Sequence, residues 1–185
     1  MKVLDQLDQL GPLLAGVVAG ISPDQLDNST PCADFTVRGV LEHMIGGATV
    51  FTAAFRGVAP GEADFNDVLG DFGATLTRLA EAMHSPGALE RTIAAPFGDV
   101  PGSSFAEYVV LDGLVHGWDL AVATGQSYEP PDELVAAAED YARRTLDSLR
   151  DGQAFSPAVE PAPSATPIER LAAFTGRNQA GASRR

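Results

Sequence analysis

Cysteine and lysine are nearly missing from this 185-residue sequence, each occurring once, as Cys32 and Lys2. A single cysteine excludes an internal disulfide, which fits a reducing, cytoplasmic setting. Positive charge is also scarce. Twelve basic residues stand against 25 acidic ones, a formal net charge of −13. That balance excludes the basic footprint nucleic-acid binding needs, and it disfavours docking on anionic lipid. No apolar run reaches the ~20 residues of a membrane span. The first eight residues hold two acids and no compact apolar block, so no secretory leader is expected. There is no CxxC pair, no zinc-finger spacing and no glycine-rich phosphate loop with its lysine. No serine stands in a nucleophile elbow.

What the sequence does hold is a core. Apolar residues make up 45% of the chain, enough to fold a single domain of this length. Helical spacing dominates. Leu4, Leu7, Leu14, Val18 and Ile21 line one face of a first helix, which either starts at Pro12 or kinks there. Ser22-Pro23-Asp24 begins a turn or short helix. Thr36 caps a second helix over about 36–57, and Asp64 caps a third running to His84. Residues 88–102 read as an extended excursion or hairpin. A fourth helix runs from Ser103 or Ser104 to Thr124 and stops at Gly125. A fifth covers 132–149, and a short last one covers 167–174 after a proline-rich crossing segment. The expected architecture is an all-α, antiparallel four-helix bundle with appended pieces over residues 1–178, with 179–185 a flexible tail. The excursion before the fourth helix is expected to be the long crossover.

Only three histidines occur, at 43, 84 and 116. On a helix Asp112, His116 and Asp119 form one polar stripe, with His116 about 40° to one side of Asp112 and Asp119 about 20° to its other side at ~100° per residue. Its flanks, Phe105, Val109 and Val115, are apolar, and a polar stripe in an apolar sector must be paired or coordinated. His43 shares its face with Gly39, Gly46 and Gly47, which suggests that a neighbouring backbone or a ligand comes close. One histidine from one helix and a carboxylate-x3-histidine pair from another can supply three metal ligands inside a bundle. Two plainer readings stay open: His43 as a hydrogen-bonded core residue, and Asp112–His116 as an ion pair. His84 reads as a surface or helix-end residue, Cys32 as a structural thiol and Trp118 as core or pocket wall.

These residues also carry a resemblance. Thr30-Pro31-Cys32-Ala33-Asp34-Phe35-Thr36-Val37-Arg38, followed by Leu41-Glu42-His43, resembles a signature of the actinobacterial DinB-like proteins. These are relatives of mycothiol-dependent maleylpyruvate isomerase and its metal-binding domain. His116-Gly117-Trp118-Asp119-Leu120-Ala121 with Ala123-Thr124-Gly125-Gln126 resembles a second signature, and Arg170 to Arg177 resembles a closing motif. The resemblance implies a DinB-like four-helix bundle holding one divalent ion, zinc or nickel. It implies His43 and His116 as ligands, Asp112 where relatives place Glu or His, and Asp119 behind an imidazole or as the carboxylate ligand itself. It implies a metal-dependent thiol transferase or isomerase using a small-molecule substrate and a low-molecular-weight thiol such as mycothiol. Relatives also suggest a homodimer. The isomerases carry a further C-terminal domain that contributes to their active site. None is expected here, so maleylpyruvate isomerisation is not expected either. Arg177 is a candidate anion contact at the mouth of the site. The alternative is a non-catalytic bundle that binds a small molecule or a partner, with a structural metal or none.

Overall fold

Local signals set most of the element boundaries. The computed structural model describes residues 1–33, 35–95, 98–151 and 155–177, with 147–151 described by their backbone alone. The expected tail, 179–185, lies outside the described residues, as do Asp34, Pro96 and Phe97. The helices are α1 (Val3–Ala19), α2 (Val37–Arg56), α3 (Phe72–His84), α4 (Gly102–Thr124), α5 (Asp132–Asp151) and α6 (Pro167–Phe174). A short 3-10 turn covers Pro23–Gln25. The two strands β1 (Thr92–Ala95) and β2 (Gly98–Pro101) pair antiparallel, Ile93 opposite Val100. The all-α bundle, the extended excursion and the terminal short helix are therefore all present. Among the described residues, no helix is long and apolar enough to cross a membrane.

Thr36 caps α2, its hydroxyl accepting the Gly39 N–H at 3.2 Å. Thr166 and Glu169 form a reciprocal capping box at the start of α6. One open alternative is decided and one expected boundary is corrected. α1 does not start at Pro12 but runs through it from Val3. Asp8 and Pro12 lie on the exposed side, so water can solvate the carbonyl that proline leaves without an N–H. The buried face (Leu7, Leu10, Leu14, Val17 and Val18) holds both halves in one rod. The third helix starts at Phe72, not near Asp64. The Asp64 carboxylate accepts the Asn66 N–H and the Asp67 carboxylate accepts the Gly70 N–H, each at 2.9 Å. These local bonds close turns in competition with the helix.

Four helices surround the core, in the order α1, α4, α2, α3. Their directions follow from side-chain neighbours. Leu10 packs on Gly113 and Leu14 on Gly117, so α1 and α4 run the same way. Asp8 meets His84, and Ala15 shares a groove with Gly73, so α3 runs against α1. Phe51 and Phe55 meet Phe105 while His43 meets His116, so α2 runs against α4. Hence α2 and α3 are parallel neighbours. The bundle is not antiparallel throughout, and the crossover is the 57–71 connection rather than the excursion before α4. An extended segment of that length reaches about 50 Å, against the ~30 Å length of α2.

α4 is the central rod. It packs on α1 and α2, and α5 and α6 cover its remaining side. Its buried residues run from Phe105 to Ala121 with little interruption and include His116, Trp118 and Asp119. The α1–α4 approach is close because α4 shows glycine there. A Cβ on Gly113 would stand 2.8 Å from Leu10, and one on Gly117 2.9 Å from Leu14. Three amide side chains tie the far end of α4. Gln25 and Asn28 donate to the carbonyls of Thr124 and Ala123, and Gln126 donates to Val17 of α1 at 3.0 Å.

Candidate metal centre

A buried helix that carries His116 and two aspartates must find each a partner. The structure brings Asp112 and His116 of α4 against His43 of α2. His116 Nε2 lies 3.5 Å from Asp112 Oδ1, and His43 Nε2 lies 3.9 Å from Asp112 Oδ2. The imidazole rings meet edge to face at 4.9 Å between centroids. One donor atom from each of the three residues lies within 4.8 Å of the other two. Side-chain exposure grades from 4% at His116 through 16% at Asp112 to 44% at His43. The cluster is therefore closed below and open on the His43 side.

Asp119 takes the other edge of His116. Its Oδ2 lies 3.1 Å from His116 Nδ1. A carboxylate only accepts, so this bond places the imidazole proton on Nδ1 and leaves the Nε2 lone pair facing Asp112 and His43. Asp119 is fully buried, and Arg177 Nε donates to the same Oδ2 at 3.4 Å. Arg177 is itself buried. It donates to the Thr175 carbonyl and lies over the Phe155 ring. It is thus not the exposed anion contact expected at the mouth, because the segment after α6 folds inward and carries the guanidinium down to the Asp119 carboxylate.

Burial of the His43 ring lowers its pKa below the ordinary histidine value. Asp112 opposes that lowering, and His116 and Arg177 add to it. The imidazole is therefore neutral at pH 7, the form that can ligate a metal. Burial, helped by Asp112, pushes the Tyr108 hydroxyl well above the usual phenol range, so it stays protonated beside the cluster.

The glycines around His43 correct one expectation. The atoms nearest to a Cβ at Gly39, Gly46 and Gly47 belong to the aromatic rings of Phe35, Phe65 and Phe51, not to a neighbouring backbone. Phe35 also reaches the His43 ring, 5.7 Å between centroids. His84 ends α3, where its Nε2 meets the exposed Asp8 carboxylate at 2.9 Å. Trp118 is core. Cys32 is the residue that sequence reasoning placed least well. Its loop is pinned by Thr30 N–H to the Phe35 carbonyl and Val37 N–H to the Asn28 carbonyl. This brings the thiol within 4.8 Å of donor atoms of His116 and Asp119, a second cluster that shares His116 with the first. Eleven residues upstream of His43 in the chain, it carried no spacing signal.

A model of the mycothiol maleylpyruvate isomerase N-terminal domain family matches residues 7–121. The chain belongs to that family. The match spans α1 to α4 and contains Cys32, His43, Asp112, His116 and Asp119, while Arg177 lies beyond it. Two relatives of this mycothiol maleylpyruvate isomerase N-terminal domain protein are uncharacterized proteins of Mycobacterium tuberculosis, from strains CDC 1551 / Oshkosh and ATCC 25618 / H37Rv. Each is 34% identical over 166 residues, covering 88% of this chain and 91% of the relative. No solved structure matches.

The donor set fits a divalent ion. Two imidazoles and a carboxylate are a usual catalytic ligand set for zinc, which leaves a fourth position open. Tetrahedral donors at the usual bond lengths stand about 3.3 Å apart, and one donor atom from each of the three residues lies within 4.8 Å of the other two, near enough for side-chain rotations to close them on one ion.

Proposed function

We propose that this chain is a divalent-metal-binding enzyme of thiol-transferase or isomerase type, with His43, Asp112 and His116 as its metal ligands. The observation that carries this reading is the convergence of three donors of the right chemistry from two helices on one half-open point. Zinc or nickel is the ion proposed, and the cosubstrate is a low-molecular-weight thiol of the mycothiol kind, supported by the family alone. When bound, a divalent ion lowers the pKa of a thiol and holds it as thiolate at neutral pH.

The chain's own residues prepare the site for that chemistry. Asp119 keeps the His116 proton on Nδ1 and so orients the ring, and Arg177 holds Asp119 in place. Asp112 lies between the two Nε2 atoms, whereas Asp119 faces the opposite edge of His116. This supports Asp112 as the carboxylate ligand. The exposed side of His43 leaves the approach for the thiol, and the Tyr108 phenol supplies a protonated hydroxyl near Asp112.

The test is elemental analysis of protein purified without a metal-affinity tag. About one divalent ion per chain is expected, falling to background in His43→Ala and in His116→Ala. Full metal retention in both variants overturns the site. With the site established, thiol-transfer activity that disappears on chelation while the helical fold persists marks a catalytic ion. Unfolding on chelation marks a structural one.

A further inference from the structure

Next to the candidate centre lies a half-open cavity of about 70 Å³ between α1, α2, α3 and α4. Leucines form much of its wall: Leu7, Leu10 and Leu14 from α1, and Leu76 and Leu79 from α3. Phe51 lines it from α2. Only two of the lining side chains are polar, and these are His43 and Asp112, two of the three ligands proposed above. No arginine or lysine lines it. The cavity is thus an apolar chamber whose sole polar wall is the centre itself.

We propose that the molecule handled at this centre carries a short unbranched apolar arm that enters this chamber while its polar head sits at His43 and Asp112. The inference rests on the metal-centre reading above and adds the substrate class to it. Size follows from volume. One water needs about 10–15 Å³ of such space, so the chamber takes on the order of five linked non-hydrogen atoms. Chemistry follows from the lining. An apolar chamber gains little from water, whereas each buried methylene is worth about a threefold to fourfold gain in affinity. A second carboxylate at the arm's end would be buried without a cationic partner, so dicarboxylates are disfavoured. Space at Gly11 makes the test direct. A Cβ there meets nothing within 4 Å, and the residue sits in the chamber wall on α1.

The experiment uses the zinc-loaded full chain and a series of straight-chain alkyl hydroxamic acids from two to eight carbons, with affinity read by titration calorimetry. Affinity is expected to rise about threefold to fourfold per methylene up to about five carbons and then level off. Succinic monohydroxamic acid, whose arm ends in a carboxylate, is expected to bind at least ~tenfold more weakly than butyrohydroxamic acid. Gly11→Leu should flatten the series with zinc content unchanged. Leu79→Ala, which enlarges the chamber, should move the plateau to longer chains. Zinc uptake with a flat wild-type series overturns the apolar arm alone, as does an equal slope in wild type and both variants. A protein that takes up no zinc overturns this inference together with the reading it rests on.

Discussion

Asp119 holds two partners on one oxygen, the Nδ1 proton of His116 and the guanidinium of Arg177. Substitutions here therefore separate orientation from charge. Asp119→Asn keeps an acceptor for Nδ1 but leaves Arg177 buried without an anion. Zinc affinity should fall about 10–100-fold, read by competition with a chromophoric chelator. Arg177→Met leaves the opposite charge bare, and breaking such a buried pair costs about 3–5 kcal/mol, read by denaturant unfolding. Cys32 tests which of the two clusters sharing His116 is the centre. Cys32→Ser should leave metal content unchanged, and its loss there would shift the centre to the Cys32–His116–Asp119 side. The His43 titration has a sign that can be checked on the metal-free protein by NMR. Its pKa lies below the ordinary value, and Asp112 is the group that raises it. Asp112→Asn should move it further down. Because the folded chain binds this proton less readily than the unfolded chain, the contribution of His43 to stability is present above ~6.5 and is lost as pH falls through the folded value.

At the scale of elements, the α1–α4 contact depends on two glycines of α4. Gly117→Ala would bring a methyl group to 2.9 Å from Leu14 and 2.6 Å from the Tyr128 hydroxyl. The helices must part or side chains must shift, at a cost of about 1–3 kcal/mol in denaturant unfolding. Thr36→Ala removes the α2 cap for about 1 kcal/mol. Caps and stops of this kind were legible because they act within a few residues of themselves. Thr36, Gly125 and the Pro167–Phe174 helix stand where the sequence placed them. The start of α3 did not, because Asp64 and Asp67 spend their carboxylates on turns that helical spacing cannot reveal. Of the two readings open for α1, the helix that passes through Pro12 holds, because burial of leucines on both sides outweighs the local break.

For the whole molecule, the core is complete without an ion. Its largest fully buried side chains, among them Phe55, Phe72, Phe105, Leu134 and Leu171, come from five of the helices and make no use of the centre. Chelation should therefore leave the far-ultraviolet circular dichroism intact. It should lower the melting temperature only by the binding free energy of the metal, and zinc should restore it in a concentration-dependent way. Collapse of helicity on chelation would contradict this.

The sequence alone determined that this is an acidic helical protein with a few well-placed polar residues. Periodicity, caps and the scarcity of histidine are properties of neighbours along the chain, so they survive without coordinates. It also marked Asp112, His116 and Asp119 as one stripe, because helical spacing brings them onto a single face. Only the tertiary structure decided that His43 meets that stripe, that α2 and α3 run parallel, and that Cys32 and Arg177 approach His116 and Asp119 from distant segments. Those contacts are set by how rods pack and where connections cross, and no local spacing encodes them.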